Sequence, residues 1–161
     1  MPDTVTYTPI ATNTLSSSAT SVTFSSIAGT FNDLVVIVAG IYTTGGTNDA
    51  VLEFNGDTSS IYSWTRLLGS GSAASSSRST SDVQIDFGLL SSNGQTNSIA
   101  QIQNYSNSTT YKTVLGRGNS TEYVGAVVGL WRSTAAITSV KVRSAATFAS
   151  GTVFTLYGIG A

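Results

Sequence analysis

Apolar residues return at every second position along most of this chain. Val83, Ile85 and Phe87 fall on one side of an extended segment, with Asp82, Gln84 and Asp86 on the other. Val140 and Val142 oppose Lys141 and Arg143, and "GTVFTLYGIG" puts Val153, Thr155, Tyr157 and Ile159 together. A period of two is that of a half-buried antiparallel strand. β-branched and aromatic residues fill these runs, as strands prefer. No stretch of eleven or more residues repeats at the helical period, and "WRSTAAITSV" reads as a turn leading into a strand. The pattern predicts strands at about 4–8, 12–16, 20–26, 33–43, 50–55, 61–68, 82–90, 97–105, 110–117, 122–131, 136–143 and 152–159. The breakers between them include Gly45-Gly46, Asn55-Gly56, Asn93-Gly94, Asn107-Ser108, Gly118-Asn119 and Gly151. Many short strands without helices make an all-β protein of two packed antiparallel sheets.

A chain of 161 residues suits one domain. Residues 1–20 hold both prolines and few large apolar side chains, and read as an extended N-terminal arm before a sandwich domain at 21–161. Such an arm is held by its own domain or by a neighbour. The stretch "GSGSAASSSRSTS", 69–81, reads as a mobile connection. Asn55-Gly56 is a hairpin signal, because both positions tolerate positive φ. Gly116 and Gly118 in "GRGNS" fit a bulge or tight turn, since no helix follows to make a phosphate site.

Side-chain chemistry excludes much. The chain has no Cys and no His, so thiolate chemistry, disulfides and the usual proton shuttle are absent. Seven basic and eight acidic residues leave no field for nucleic acid or anionic lipid. No apolar run reaches the ~20 residues of a membrane span. "MPDTVTYTPI" has neither the basic start nor the apolar block of a secretory signal, so the expectation is synthesis in the cytoplasm. No G-x-S-x-G elbow occurs, and Asp82 and Asp86, on one face of a predicted strand, would stand about 13 Å apart, too wide for a glycosidase pair. They read as solvent-facing charges. The residues call for no cofactor.

Charged residues make up only 9% of the chain, where globular domains average about 25%. Ser and Thr, nearly a third of the residues, fill the gap. A surface wetted by hydroxyls does not repel another copy of itself, which points to a chain that packs against other subunits.

Two candidate sites remain. Asn48, Asp49, Asn55 and Asp57 surround one strand and could supply calcium oxygens, although the spacing matches no D-x-[DN]-x-[DN]-G loop and all four are ordinary turn residues. Tyr42, Tyr62, Trp64 and Trp131 could stack on a sugar; Tyr62 and Trp64 share one strand face, which serves equally as core or subunit interface.

The series "VTFSSI…FNDLVVIV", "LEFNGDTSSIYSWTRL", "IQNYSNSTTYKTVLGR", "GLWRSTAAITSVKV" and "FASGTVFTLYGIG" resembles small structural proteins of tailed bacteriophages, notably those of aquatic hosts. The matching residues are Phe24 and Ile27; Asp33-Leu34; Phe54 to Asp57 with Tyr62-Ser63; Asn104-Tyr105 and Tyr111 to Thr113; Trp131 with Ala136 to Ser139; and Gly151 to Ile159. The resemblance implies a jelly-roll-like β-sandwich on the virion. It implies a capsid decoration (cement) protein that bridges major capsid proteins as a homotrimer. A glycan-binding or tip domain of a tail fibre is the alternative.

Overall fold

The computed structural model of the protein describes residues 6–43 and 46–160. Asp3, Gly45 and the first two residues of the strand predicted at 4–8 lie outside them. Twelve strands follow one another: β1 Tyr7–Thr14, β2 Ala19–Phe24, β3 Asp33–Gly40, β4 Thr47–Phe54, β5 Tyr62–Gly69, β6 Ala74–Asp82, β7 Ile85–Ser91, β8 Thr96–Ile102, β9 Lys112–Asn119, β10 Val124–Trp131, β11 Val140–Phe148 and β12 Val153–Ile159. They form an eight-stranded sheet, in the order β1-β12-β3-β8-β9-β10-β5-β6, and a four-stranded sheet, β2-β11-β4-β7. The strand pairings within each sheet are antiparallel. The expected all-β, jelly-roll-like sandwich is therefore present. No helix among the described residues is long and apolar enough to cross a membrane.

The alternation decides the core. Leu34, Val36 and Val38 of β3, Ala100 and Ile102 of β8, Val114 of β9, Val127 and Trp131 of β10, and Phe154 and Leu156 of β12 point inward. They meet Val22, Phe24, Leu52, Phe54, Val140 and Val142 of the small sheet. Strand β7 is buried at every position, because it runs close beneath the large sheet. The approach is close enough that a Cβ on Gly116 would lie 2.5 Å from the Phe87 carbonyl oxygen. Gly116 and Gly118 therefore lie inside β9 and make room for β7; the expected bulge or turn is absent. The reversal comes later, at Ser120–Tyr123.

Other expectations are corrected. The Ser-rich stretch is no mobile loop: Ser70 to Ala73 close a tight turn, and Ala74–Asp82 pairs with β5 as an edge strand. Its exposed side chains are mostly hydroxyls, so the backbone ladder holds it and no apolar alternation betrays it. The strand predicted at 82–90 breaks at Val83-Gln84, and Asp86 is buried, with 7% exposure, where a solvent-facing charge was expected. Over its described residues the extended arm is held by its own domain, one of the two arrangements expected of it. A single strand, β1, replaces the two short ones and pairs with β12, and Leu15 exchanges backbone bonds with Gly151 and Thr152.

Candidate functional site

The resemblance motifs around Asn55, Tyr62, Tyr105, Trp131 and Ala136 meet at one end of the sandwich, while the closing motif runs the length of β12. Asn55 and Gly56 have φ of 55° and 69°, and the Asp57 amide donates to the Phe54 carbonyl at 2.9 Å. The turn forms as its residues require. Its outcome differs from a hairpin, because β4 and β5 belong to different sheets and the turn carries the chain from one to the other. The Asn55 amide then binds the segment before β11. Its Nδ2 donates to the Ala136 carbonyl at 2.9 Å, and its Oδ1 accepts from the Thr138 and Ser139 amides at 2.8 and 3.1 Å.

Asp57 is equally engaged. Oδ2 accepts from Trp131 Nε1 at 3.0 Å, and Oδ1 accepts from the Ser59 amide at 2.9 Å and from the Ser59 hydroxyl. Burial pushes its carboxyl upward, but the bonds from Ser59 and Trp131 outweigh that and hold it below the usual carboxylate range. Tyr62 donates to the Asp57 carbonyl at 3.0 Å and accepts from the Phe54 amide at 3.1 Å. Burial raises its hydroxyl above the ordinary tyrosine range. Phe54, Tyr62 and Trp131 pack ring against ring at 5.5–6.2 Å. Tyr105 completes the group: its hydroxyl reaches the Ala28 carbonyl, and its own carbonyl accepts from the Ile137 amide at 2.8 Å.

Each candidate can now be placed. Tyr42, Tyr62 and Trp131 are no more than 1% exposed and offer no ring face to a sugar; they are core. Trp64 is half-buried, donates to Asp82 at 3.0 Å, and carries the Arg66 guanidinium 5.4 Å above its ring. The calcium candidates do not assemble. Asp49 stands near the start of β4 and Asn55 and Asp57 just past its end, about 20 Å away along an extended strand. Among the described residues no three His, Cys, Asp or Glu side chains gather to hold a metal.

Asp49 belongs to an ionic cluster that the alternation did not reveal. Arg66 Nη1 bonds Asp49 at 2.5 Å and Asp86 at 3.7 Å. Desolvation pushes the Asp86 carboxyl up to about 6; Asp49 and Asp82 add to the rise and Arg66 opposes it. On the small sheet, buried Glu53 is bound by Arg143 and Lys141. Arg66 Nη1 thus bridges the carboxylates of Asp49 and Asp86. The groove beside them, of about 430 Å³, is lined by Asn48, Asp49, Arg66, Asn93, Glu122 and Tyr123 among others.

The second unforeseen feature is the outer face of the large sheet. Leu67, Leu115, Val124 and Val128 point outward there, each more than half exposed. One signal for it was available: "AVVGLW" of β10 is apolar at both parities, which marks a strand covered on two sides.

No protein-family model and no curated protein matches this chain. Among solved structures, an exo-inulinase from Aspergillus awamori superposes with a TM-score of 0.51 at 13% identity, covering 95% of this chain and 29% of the enzyme. The likeness is one of fold, to a part of that protein under a third of its length. An alginate lyase mutant in complex with alginate trisaccharide, at TM-score 0.28, 9% identity and 80% and 68% coverage, is too distant to carry an argument. So is a human SPRY domain, at TM-score 0.25, 11% identity and 87% and 96% coverage.

Proposed function

We propose that this chain is a non-enzymatic structural protein of a virion: a decoration (cement) protein that sits on the capsid surface, bridges major capsid proteins and assembles as a homotrimer. The observation that carries the reading is how its polar and aromatic motif residues are used. Asn55, Asp57, Tyr62, Tyr105 and Trp131 all bind the chain itself, tying the two sheets together at one end. A protein whose distinctive side chains lock the frame, and whose large sheet turns an apolar face outward, is suited to docking. Each docked copy would bury on the order of 800 Å² per partner, repeated over the shell. The arm does not need to add a strand to a neighbour, since its described part is satisfied by β12.

Cosedimentation with capsids assembled without this protein tests the reading: saturable binding is expected, and its absence refutes the capsid role. The groove beside Asp49 and Arg66 favours one second reading, a glycan-binding or tip domain of a tail fibre, because it gathers amide, carboxylate, guanidinium and phenol groups in one place. A glycan array decides that question, and of the stacking residues first considered Tyr42, Tyr62 and Trp131 would not be its contacts.

A further inference from the structure

We propose that the outer face of the eight-stranded sheet is the surface through which this chain packs on a second copy of itself. The proposal rests on the self-association in the reading above and names where it occurs. The strand register sets out the face. Val128 lies between Leu115 and Thr65, and Thr65 in turn pairs with Arg78. In the next row Ala126 lies between Leu67 and Arg117, and Arg117 pairs with Ile99. Leu67, Leu115, Val124 and Val128 are 57–64% exposed, and no charge is interleaved with them except the two arginines.

Charge identifies the occupant. Arg66, Lys141 and Arg143 are in ion pairs, while Arg132 and Lys112 are bound by hydroxyl and carbonyl oxygens. Among the described residues the cations whose side chains make neither a hydrogen bond nor an ion pair are Arg78 and Arg117, and both lie on this face. The corresponding acid is Glu122, in the turn that ends β9 and begins β10, two residues before Val124 at the rim where this sheet meets the groove beside Asp49. One copy therefore supplies both signs that another copy needs. Two arginines among four aliphatic side chains make a poor surface for a polyanion or a bilayer.

Size agrees. Eight strands about 4.8 Å apart and roughly 25 Å long present on the order of 900 Å², close to the ~800 Å² per partner of a stable protein interface. The face also has relief, with hollows of about 500 Å³ beside Ile37, Ile99 and Val124 and of about 340 Å³ beside Thr65, Val128 and Leu130. Protruding Leu67 and Leu115 of another copy are the size to enter them.

Light scattering and sedimentation equilibrium of purified protein test this, with Leu115→Lys/Val128→Lys as the variant and Thr23→Lys, on the exposed side of β2, as the control. Wild type and control are expected to be oligomeric. The double variant, with unchanged circular dichroism and melting, is expected to be monomeric at the same concentration, a weakening of at least about tenfold. An oligomer that survives the double variant overturns the choice of face while leaving self-association intact. A wild type that stays monomeric to about 100 μM overturns the self-contact. If that monomer binds capsids and the double variant does not, the face belongs to the capsid partner; the proposal then fails and the decoration reading stands.

Discussion

Replacing Asn55 tests whether the turn between β4 and β5 holds the two sheets in register. Asn55 does two separable things. It occupies a left-handed conformation at φ 55°, and it makes three bonds of 2.8–3.1 Å to the segment before β11. Asn55→Ala forfeits both. The bonds contribute about 1 kcal/mol each, less where water replaces them at this exposed position, and Ala in the left-handed region costs about 1 kcal/mol more. A total loss of about 2–4 kcal/mol follows. Asn55→Gly loses the bonds but accepts the backbone, so it should be less destabilised than Asn55→Ala by about 1 kcal/mol, offset in part by its freer unfolded chain. Urea unfolding followed through Trp131, which Asp57 of the same turn binds, measures both. Equal stability of the two variants would refute the strain argument. An Asn55→Ala protein within about 0.5 kcal/mol of wild type would refute the bridge itself.

Further outcomes are expected elsewhere. The Asp86 carboxyl titrates near 6 in the folded chain and near 4 when unfolded, so the folded state holds a proton that the unfolded state has lost between those values. Its contribution is favourable at low pH and falls by about 3 kcal/mol in all as pH rises from below 4 to above 6, most of it between those values. Asp86→Asn should flatten that part of the stability–pH curve, and an unchanged slope would assign the titration elsewhere. Gly116→Ala should cost more than about 3 kcal/mol or prevent folding, because the obstructing atom is the Phe87 backbone oxygen, which cannot move aside. Gly56→Ala, at φ 69° with open space around it, should cost only about 1 kcal/mol, and equal effects of the two would refute the packing argument.

Most strands could be read from the sequence because one face of each is buried and the other wet. Reading failed where that condition failed. Strand β6 has no buried apolar face, and its serines resemble a linker. Strand β7 is buried on both faces, so Asp86 within it gave no warning of its surroundings. The Asn55-Gly56 turn was legible because left-handed φ values demand such residues. Its role in joining the sheets was not, because that depends on Ala136, Thr138 and Ser139, more than eighty residues away. Of the aromatic candidates only Tyr62 and Trp64 lie near Asp57 in sequence; Trp131, which donates to it, comes 74 residues later. Alternation alone could not say that three of the rings point into the core.

The pairing of the first strands with the last has a kinetic consequence. β1 neighbours only β12 and β2 only β11, so the first two strands have no sheet to join until residues near 150 have left the ribosome, although β3 and β4 can already meet β8 and β7. Contacts that span so much sequence place folding in the millisecond-to-second range and after synthesis of the domain, with strand edges open in the interval. Pro9 and the register shift beside it on β1, and Arg78 with the register shift near the end of β6, are what work against neighbouring nascent chains adding to the two margins of the large sheet.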